Sequence, residues 1–251
     1  MECVVLAGGR PEPGDSLWPQ GGGRPKAMIE IAGRPMIAWV LDALGSSRHI
    51  DRLIVVGLGA NADLPRDVEA VADQGDLVGN LYAGIARLSE ASPAAYCWSD
   101  IPLATAPMFD RYIEATADPE LDVNAGLVPK TLLQTRYPEA EDLWLRLAEG
   151  SFIVSDFGLF HPRHAVRLRP QLERLAPQRK HAWRQALSLG FPLLVRFATG
   201  RLSIPVLVGH LERRFEMRCG VRVVSDPELG LDVDTSGSLE LCRRVLAQRP
   251  A

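Results

Sequence analysis

The sequence predicts a doubly wound, Rossmann-like three-layer α/β/α domain, and three observations carry that expectation. Short apolar runs of strand length recur at Val4–Ala7, Leu53–Gly57, Ala94–Trp98 and Val123–Val128. Helix-period stretches at Pro35–Leu44, Val78–Leu88 and Pro107–Thr116 alternate with them, which is the rhythm of a parallel sheet covered on both faces. A glycine- and proline-rich segment, Arg10–Arg24, directly follows the first run, where open α/β sheets hold their ligands; it reads as a flexible loop.

Taken in order, the N-terminal run Glu2–Ala7 is too short and lacks the basic start of a signal peptide, so it reads as the first strand. Weaker β-branched or apolar pieces at Asp67–Val71 and Leu143–Leu147 add short strands. From Pro162 to Arg214 the alternation stops. Consecutive helical stretches broken by Pro170, Pro177, Gly190, Pro192, Gly200 and Pro205 predict a helical insertion, residues 162–214, within a single domain of residues 1–251. The apolar stretch Leu187–Leu211 is interrupted by Arg196 and Arg201, which suits buried or subunit-facing helices and a homodimer surface better than a membrane span. Val221–Ser225 then reads as a strand, Gly230–Asp234 as a short strand or turn, and Ser236–Leu246 as a closing helix with Ser236 as its N-cap.

Composition narrows the function classes. With 47% hydrophobic residues the 251-residue chain buries a full core. The net charge of −3 gives no footprint for nucleic acid or an anionic membrane, so a small-molecule partner is expected. Cys3, Cys97, Cys219 and Cys242 are widely spaced, without zinc-site pairing or the density of a disulfide scaffold, and read as buried thiols of a cytoplasmic protein. The five histidines show no metal spacing and take no catalytic role.

Four segments carry chemistry. Gly8 and Gly9, at the end of the first strand, let backbone N–H groups approach a base or polyphosphate with no Cβ in the way. Lys26, one of three lysines in a chain with twenty-five arginines, lies across the following loop and suits neutralisation of a triphosphate. Asp100, just past the strand Ala94–Trp98, is a hard oxygen ligand at a strand end, suited to Mg²⁺ or to Mn²⁺ in its place. Asp232 and Asp234, two apart on an extended segment, face one side and reach one metal site; the same residues with Thr235 also suit a helix cap, and the sequence does not choose which carboxylate is nearer an ion. Gly79 and Asn80 open a helix after the Asp73–Asp76 turn, where free N–H groups and a side-chain amide suit a base or ribose.

In order, Leu6-Ala7-Gly8-Gly9-Arg10, Pro25-Lys26-Ala27 and Gly33-Arg34-Pro35-Met36 resemble the signature of the MobA-like nucleotidyltransferases, typified by the molybdenum-cofactor guanylyltransferases. Asp100-Ile101-Pro102 and Asp232-Val233-Asp234-Thr235 are similar to that family's metal-binding steps. The resemblance implies a nucleotide-diphospho-sugar transferase-type (GT-A-like) fold and transfer of NMP from an NTP to a small phosphorylated or hydroxylated acceptor. It implies nucleotide binding by Leu6, Ala7, Gly8, Gly9, Arg10, Lys26 and Asn80, catalysis by Lys26 and Asp100, and Mg²⁺ on Asp100, Asp232 and Asp234. The chain departs from the family after Arg10, where Pro11-Glu12-Pro13-Gly14-Asp15 replaces a shorter loop, and at Val154-Ser155-Asp156-Phe157-Gly158, where relatives carry a Gly-Gly-Asn step. Lys130, Arg136 and Asp156 are the acceptor-side candidates. Two other readings stay open: a GT-A-type glycosyltransferase using Asp232-Val233-Asp234, and a catalytically silent nucleotide-binding module.

Overall fold

The computed structural model describes residues 1–59, 63–116, 118, 120–140, 143–175 and 191–249. Eight strands form one mixed sheet: β1 (Glu2–Leu6), β4 (Arg52–Val56), β5 (Val68–Val71), β6 (Ala94–Trp98), β7 (Val123–Pro129), β8 (Leu145–Leu147), β9 (Gly150–Phe160) and β10 (Cys219–Val223). A separate two-stranded ribbon joins β2 (Glu30–Ile31) and β3 (Arg34–Pro35). Across the large sheet the order is β10-β7-β9-β6-β1-β4-β5, with β8 paired to β9. Strands β5, β4, β1 and β6 run parallel, and β10 runs parallel to β7.

The helices are α1 (Trp18–Gly21), α2 (Met36–Gly45), α3 (Leu77–Ile85), α4 (Ala106–Thr116), α5 (Lys130–Arg136), α6 (Pro162–Leu175), α7 (Phe191–Ala198), α8 (Ile204–Phe215) and α9 (Ser236–Ala247). They cover both faces of the sheet. The period of two along β1 does the sorting: Cys3 and Val5 pack with α2, α4 and α9, whereas Val4 and Leu6 pack with α3 on the opposite face. Strands buried on both faces read as continuous apolar runs, which is why β1, β4 and β6 are visible in the sequence. Helix α3 lies unusually close to the sheet because residue 84 is glycine: a Cβ there would sit 2.4 Å from Val4 Cγ1.

The strands at 4–7, 53–57, 94–98 and 123–128 and the three alternating helices appear close to their expected bounds, as do the short strands near 68 and 145. Four details differ. Strand β9 is antiparallel, eleven residues long, and inserted between β6 and β7; from sequence alone this stretch reads only as part of an acceptor region. Its pairing forces a register shift between Ala125 and Leu127 on β7. The last helix is capped by Thr235, whose hydroxyl accepts from Ser238 N–H at 3.1 Å, and not by Ser236. Cys219 is half-buried on the edge strand, unlike the fully buried Cys3, Cys97 and Cys242.

Between β9 and β10 the described residues form α6, α7 and α8; residues 176–190, and with them the start of the apolar 187–211 stretch, lie outside the described residues. Leu193 and Leu202 pack over Leu127, Leu147 and Phe152, so part of this stretch is core, while Val195 and Phe197 remain exposed. Among the described residues no helix is long and apolar enough to cross a membrane.

Candidate active site

The carboxyl ends of β1 and β6 lie side by side, and the chemistry gathers there. Ser99 N–H donates to the Leu6 carbonyl (3.2 Å), which sets the residue after it, Asp100, beyond the paired strand ends. The carbonyl of Asp100 accepts from Val233 N–H at 2.9 Å, clamping the C-terminal segment onto the β6 end. That segment is extended, and its alternation decides the outcome: Leu231 and Val233 are buried, so Asp232 and Asp234 face the other way. Carboxylate oxygens of Asp100, Asp232 and Asp234 consequently lie within 4.8 Å of one another.

Lys26 completes the cluster. Its backbone N–H donates to the Gly9 carbonyl (2.7 Å), and its Nζ is 2.5 Å from both Asp100 Oδ2 and Asp234 Oδ1. Burial alone would lower the ammonium's pKa, but the attraction and hydrogen bonds of Asp100 and Asp234 outweigh it and hold Lys26 above the ordinary lysine value. The other oxygen of Asp100, Oδ1, is buried and has no hydrogen-bond partner among the described residues. A buried carboxylate oxygen without a donor is costly unless something positive meets it. Three converging carboxylates with one orphaned oxygen are a hard-oxygen donor set that fits Mg²⁺ or Mn²⁺.

On the other flank, the turn after β1 is shaped by close backbone contact. Gly57 has φ of +101°, and a Cβ on it would lie 2.4 Å from Gly8 Cα; a Cβ on Gly8 would lie 2.3 Å from Asn80 Nδ2. Asn80 is buried. Its Nδ2 donates to Asp73 Oδ1 (3.0 Å) and its Oδ1 accepts from Gln74 N–H (2.8 Å), so both ends of the amide hold the 73–76 turn against Gly8. Asp73 also accepts from Gly75 N–H, and this bond, followed by that of Asn80, holds its carboxyl below the usual range. Gly9 has open space where a Cβ would be. The structure thus brings Gly8, Gly9 and Asn80 to one flank and Lys26, Asp100, Asp232 and Asp234 to the other. Leu6 and Ala7 are buried, and their contribution is the strand end itself.

The Arg10–Arg24 segment differs from the open loop its composition suggests. Pro11 and Leu17 are buried, α1 forms within it, and Arg10 donates to the Gly23 carbonyl at 3.1 Å. Ser16 Oγ accepts from Ser236 N–H (3.0 Å), tying the segment to the start of α9. Of the acceptor-side candidates, Lys130 lies over the Trp144 ring, Arg136 pairs with the buried Glu228 at 2.8 Å, and Asp156 is half-buried on β9. Asp73 and Ser238 carry local signals, an Asp-x-Gly turn and a helix capping box with Thr235, whereas Ser16 joins Ser236 across 220 residues, too far for any local pattern. A cavity of about 310 Å³ between α2 and β5, lined by Leu41, Asp42, Leu53 and Val68 among others, lies away from the carboxylate cluster, and chemistry rather than volume assigns the site.

Residues 3–188 match the model of the MobA-like NTP transferase domain. The chain belongs to that family. Its members are nucleotidyltransferases, and the mixed sheet with one antiparallel strand is the nucleotide-diphospho-sugar transferase-type fold expected of a MobA-like domain. A hypothetical transferase from Thermus thermophilus is similar over 95% of this chain and 98% of its own, with 28% identity and a TM-score of 0.82. The molybdopterin-guanine dinucleotide biosynthesis protein A of Archaeoglobus fulgidus shares the fold, with a TM-score of 0.53 at 13% identity over 99% of this chain and 100% of its own. The bifunctional protein GlmU of Cupriavidus pinatubonensis is 28% identical over 105 residues, which are 39% of this chain and 23% of that protein, so the MobA-like chain matches about a quarter of that curated relative's length.

Proposed function

We propose that this chain transfers a nucleoside monophosphate from an NTP to a small phosphorylated or hydroxylated acceptor and releases pyrophosphate. The observation that carries the reading is the meeting of Lys26, Asp100 and Asp234, with Asp232 beside them, at the carboxyl ends of two parallel strands. Asp100, with Asp232 and Asp234, would hold Mg²⁺ or Mn²⁺, which when bound supplies positive charge opposite the phosphate oxygens and the departing pyrophosphate. An acceptor oxygen forms a bond to the α-phosphorus as the bond from that phosphorus to the α–β bridging oxygen breaks. A hydroxyl acceptor's proton leaves to water. No protein nucleophile takes part; the chain positions the reactants and neutralises charge. Gly8 and Gly9 let the backbone approach the nucleotide, and Lys26 balances the negative charge that grows on the phosphates.

Residues 1–251 act as one domain with residues 162–214 as a helical insertion, which the return of β10 to the same sheet beside β7 supports. Four free cysteines support a cytoplasmic location, and exposed Val195 and Phe197 on α7 support the homodimer, which sedimentation measures. The decisive experiment incubates the full chain with each of ATP, GTP, CTP and UTP, Mg²⁺ and a panel of phosphorylated and hydroxylated acceptors. Acceptor-dependent pyrophosphate release from one NTP is the expected result. Nucleotide diphosphate release from a sugar nucleotide, with none of the NTPs turned over, would replace the reading with glycosyl transfer; nucleotide binding without turnover would replace it with a silent binding module.

A further inference from the structure

Lys26 Nζ is bonded to two of the three carboxylates that converge at the site, at 2.5 Å from an oxygen of each. An ammonium at that distance competes with a divalent cation for Asp100 and Asp234. Two positive charges drawn to the same pair of carboxylates repel one another at contact distance. The residue type suits an exchange. A lysine ammonium is a compact charge on a flexible four-carbon stem, whereas an arginine fork would grip a carboxylate bidentately. In a chain with twenty-five arginines and three lysines, the cation here is a lysine.

We propose that Lys26 is the resident counter-ion of the metal-free site, and that divalent metal binding evicts its ammonium from Asp100 and Asp234 toward the NTP phosphates. The inference rests on the metal site of the proposed function and adds an order and a coupling to it. Metal alone meets two carboxylates already engaged by Lys26, so its affinity is reduced by the fraction of chains in which Lys26 is elsewhere. Nucleotide gives the ammonium a new partner, so metal and NTP bind with positive cooperativity through this one side chain. The two arms of the ion pair are unequal: the Asp100 side chain is 11% exposed and the Asp234 side chain 67%, so water screens the Asp234 arm and the Asp100 arm resists exchange most.

The test is Mn²⁺ binding to the full chain, followed by electron paramagnetic resonance without nucleotide, in wild type, Lys26→Met, Lys26→Arg and Asp100→Asn. Lys26→Met keeps the stem and removes the charge; it should bind Mn²⁺ at least about tenfold more tightly than wild type, within the roughly 5- to 150-fold span of ordinary couplings. Lys26→Arg should bind it more weakly than wild type. A saturating non-hydrolysable NTP should raise wild-type affinity and leave that of Lys26→Met with a smaller gain. Equal or weaker Mn²⁺ binding by folded Lys26→Met overturns the exchange, while loss of binding in Asp100→Asn still upholds the metal site. Mn²⁺ binding indifferent to Asp100→Asn overturns both. Should Lys26→Met not fold, the wild type answers alone: with three lysines, ¹³C-lysine labelling gives few signals, and a Lys26 signal unmoved by Mg²⁺ with NTP overturns the proposal.

Discussion

On the β1–α3 flank of the site, Gly8, Gly57 and Asn80 are in such close contact that neither glycine has room for a Cβ, and the Asn80 amide is bonded at both ends. On the β6–α9 flank, Asp100 and Asp234 are held together by a lysine whose charge is replaceable, and Asp234 is largely exposed. The first flank has its shape built in before any ligand arrives; the second has built in only an ion pair that offsets part of its negative charge. A nucleotide meets a preformed backbone surface on one side and an ion pair that must rearrange on the other. Shape set in advance lowers the entropy lost on binding, whereas a provisional ion pair lets the chain keep three carboxylates close together without a metal.

Substitutions that separate the two flanks sharpen this contrast. The largest effect is expected from Asp100→Ala, which should lower pyrophosphate release by roughly 10²- to 10³-fold, the scale of removing one preorganised electrostatic group. Its melting temperature should stay close to wild type, because the Asp100 carbonyl still accepts from Val233. Retained turnover would break the assignment of charge to the β6–α9 flank. Next, Gly57→Ala combines a left-handed φ with a backbone clash against Gly8 and should destabilise the chain by about 3 kcal/mol, seen as a lower denaturant midpoint. A neutral result would mean that the β1–α3 flank yields more readily than its contacts indicate.

Asn80→Ala should cost about 1–2 kcal/mol, because Gln74 N–H loses its acceptor in a part-buried hydrogen bond. It also carries a pH signature. Asp73 has a folded pKa below its unfolded value of about 3.9, so its contribution to stability is present above that value and is lost as the pH falls through the folded pKa. Losing the Asn80 donor should raise the Asp73 pKa toward the ordinary value, which an NMR titration of the Asp73 carboxyl reads directly. The smallest effect is expected of Thr235→Ala, about 1 kcal/mol for a lost N-cap, visible as a small shift in thermal midpoint. A much larger loss of activity than of stability in this variant would mean that the cap aims Asp234, and would move α9 from scaffold to site.

Much of this was legible in the residues themselves. Asp100 and the Asp232–Asp234 pair stand out because strand ends and an extended segment fix where a side chain points over a few residues, and β1, β4 and β6 stand out because both their faces are buried. What was not legible is what depends on partners far along the chain. Strand β9 contains Ser151, Ser155, Asp156 and Gly158, which break its apolar run, and its antiparallel insertion between β6 and β7 follows from no local period. The Arg10–Arg24 segment has the composition of an open loop, but burial of Pro11 and Leu17 and the bond from Ser236 to Ser16 override it. Nor does any local pattern reveal that Lys26 reaches Asp234, 208 residues away.

The hydrogen bond from Val233 to the Asp100 carbonyl has a consequence for biosynthesis. A growing polypeptide emerging from the ribosome exposes Lys26 and Asp100 well before Asp232 and Asp234, so over that interval only two members of the cluster exist, one positive and one negative. The acidic trio gathers only when residues 231–234 dock. In a partial chain that stops short of residue 232 the three-carboxylate donor set is incomplete, and the site's preference for a divalent cation arises only with that docking step.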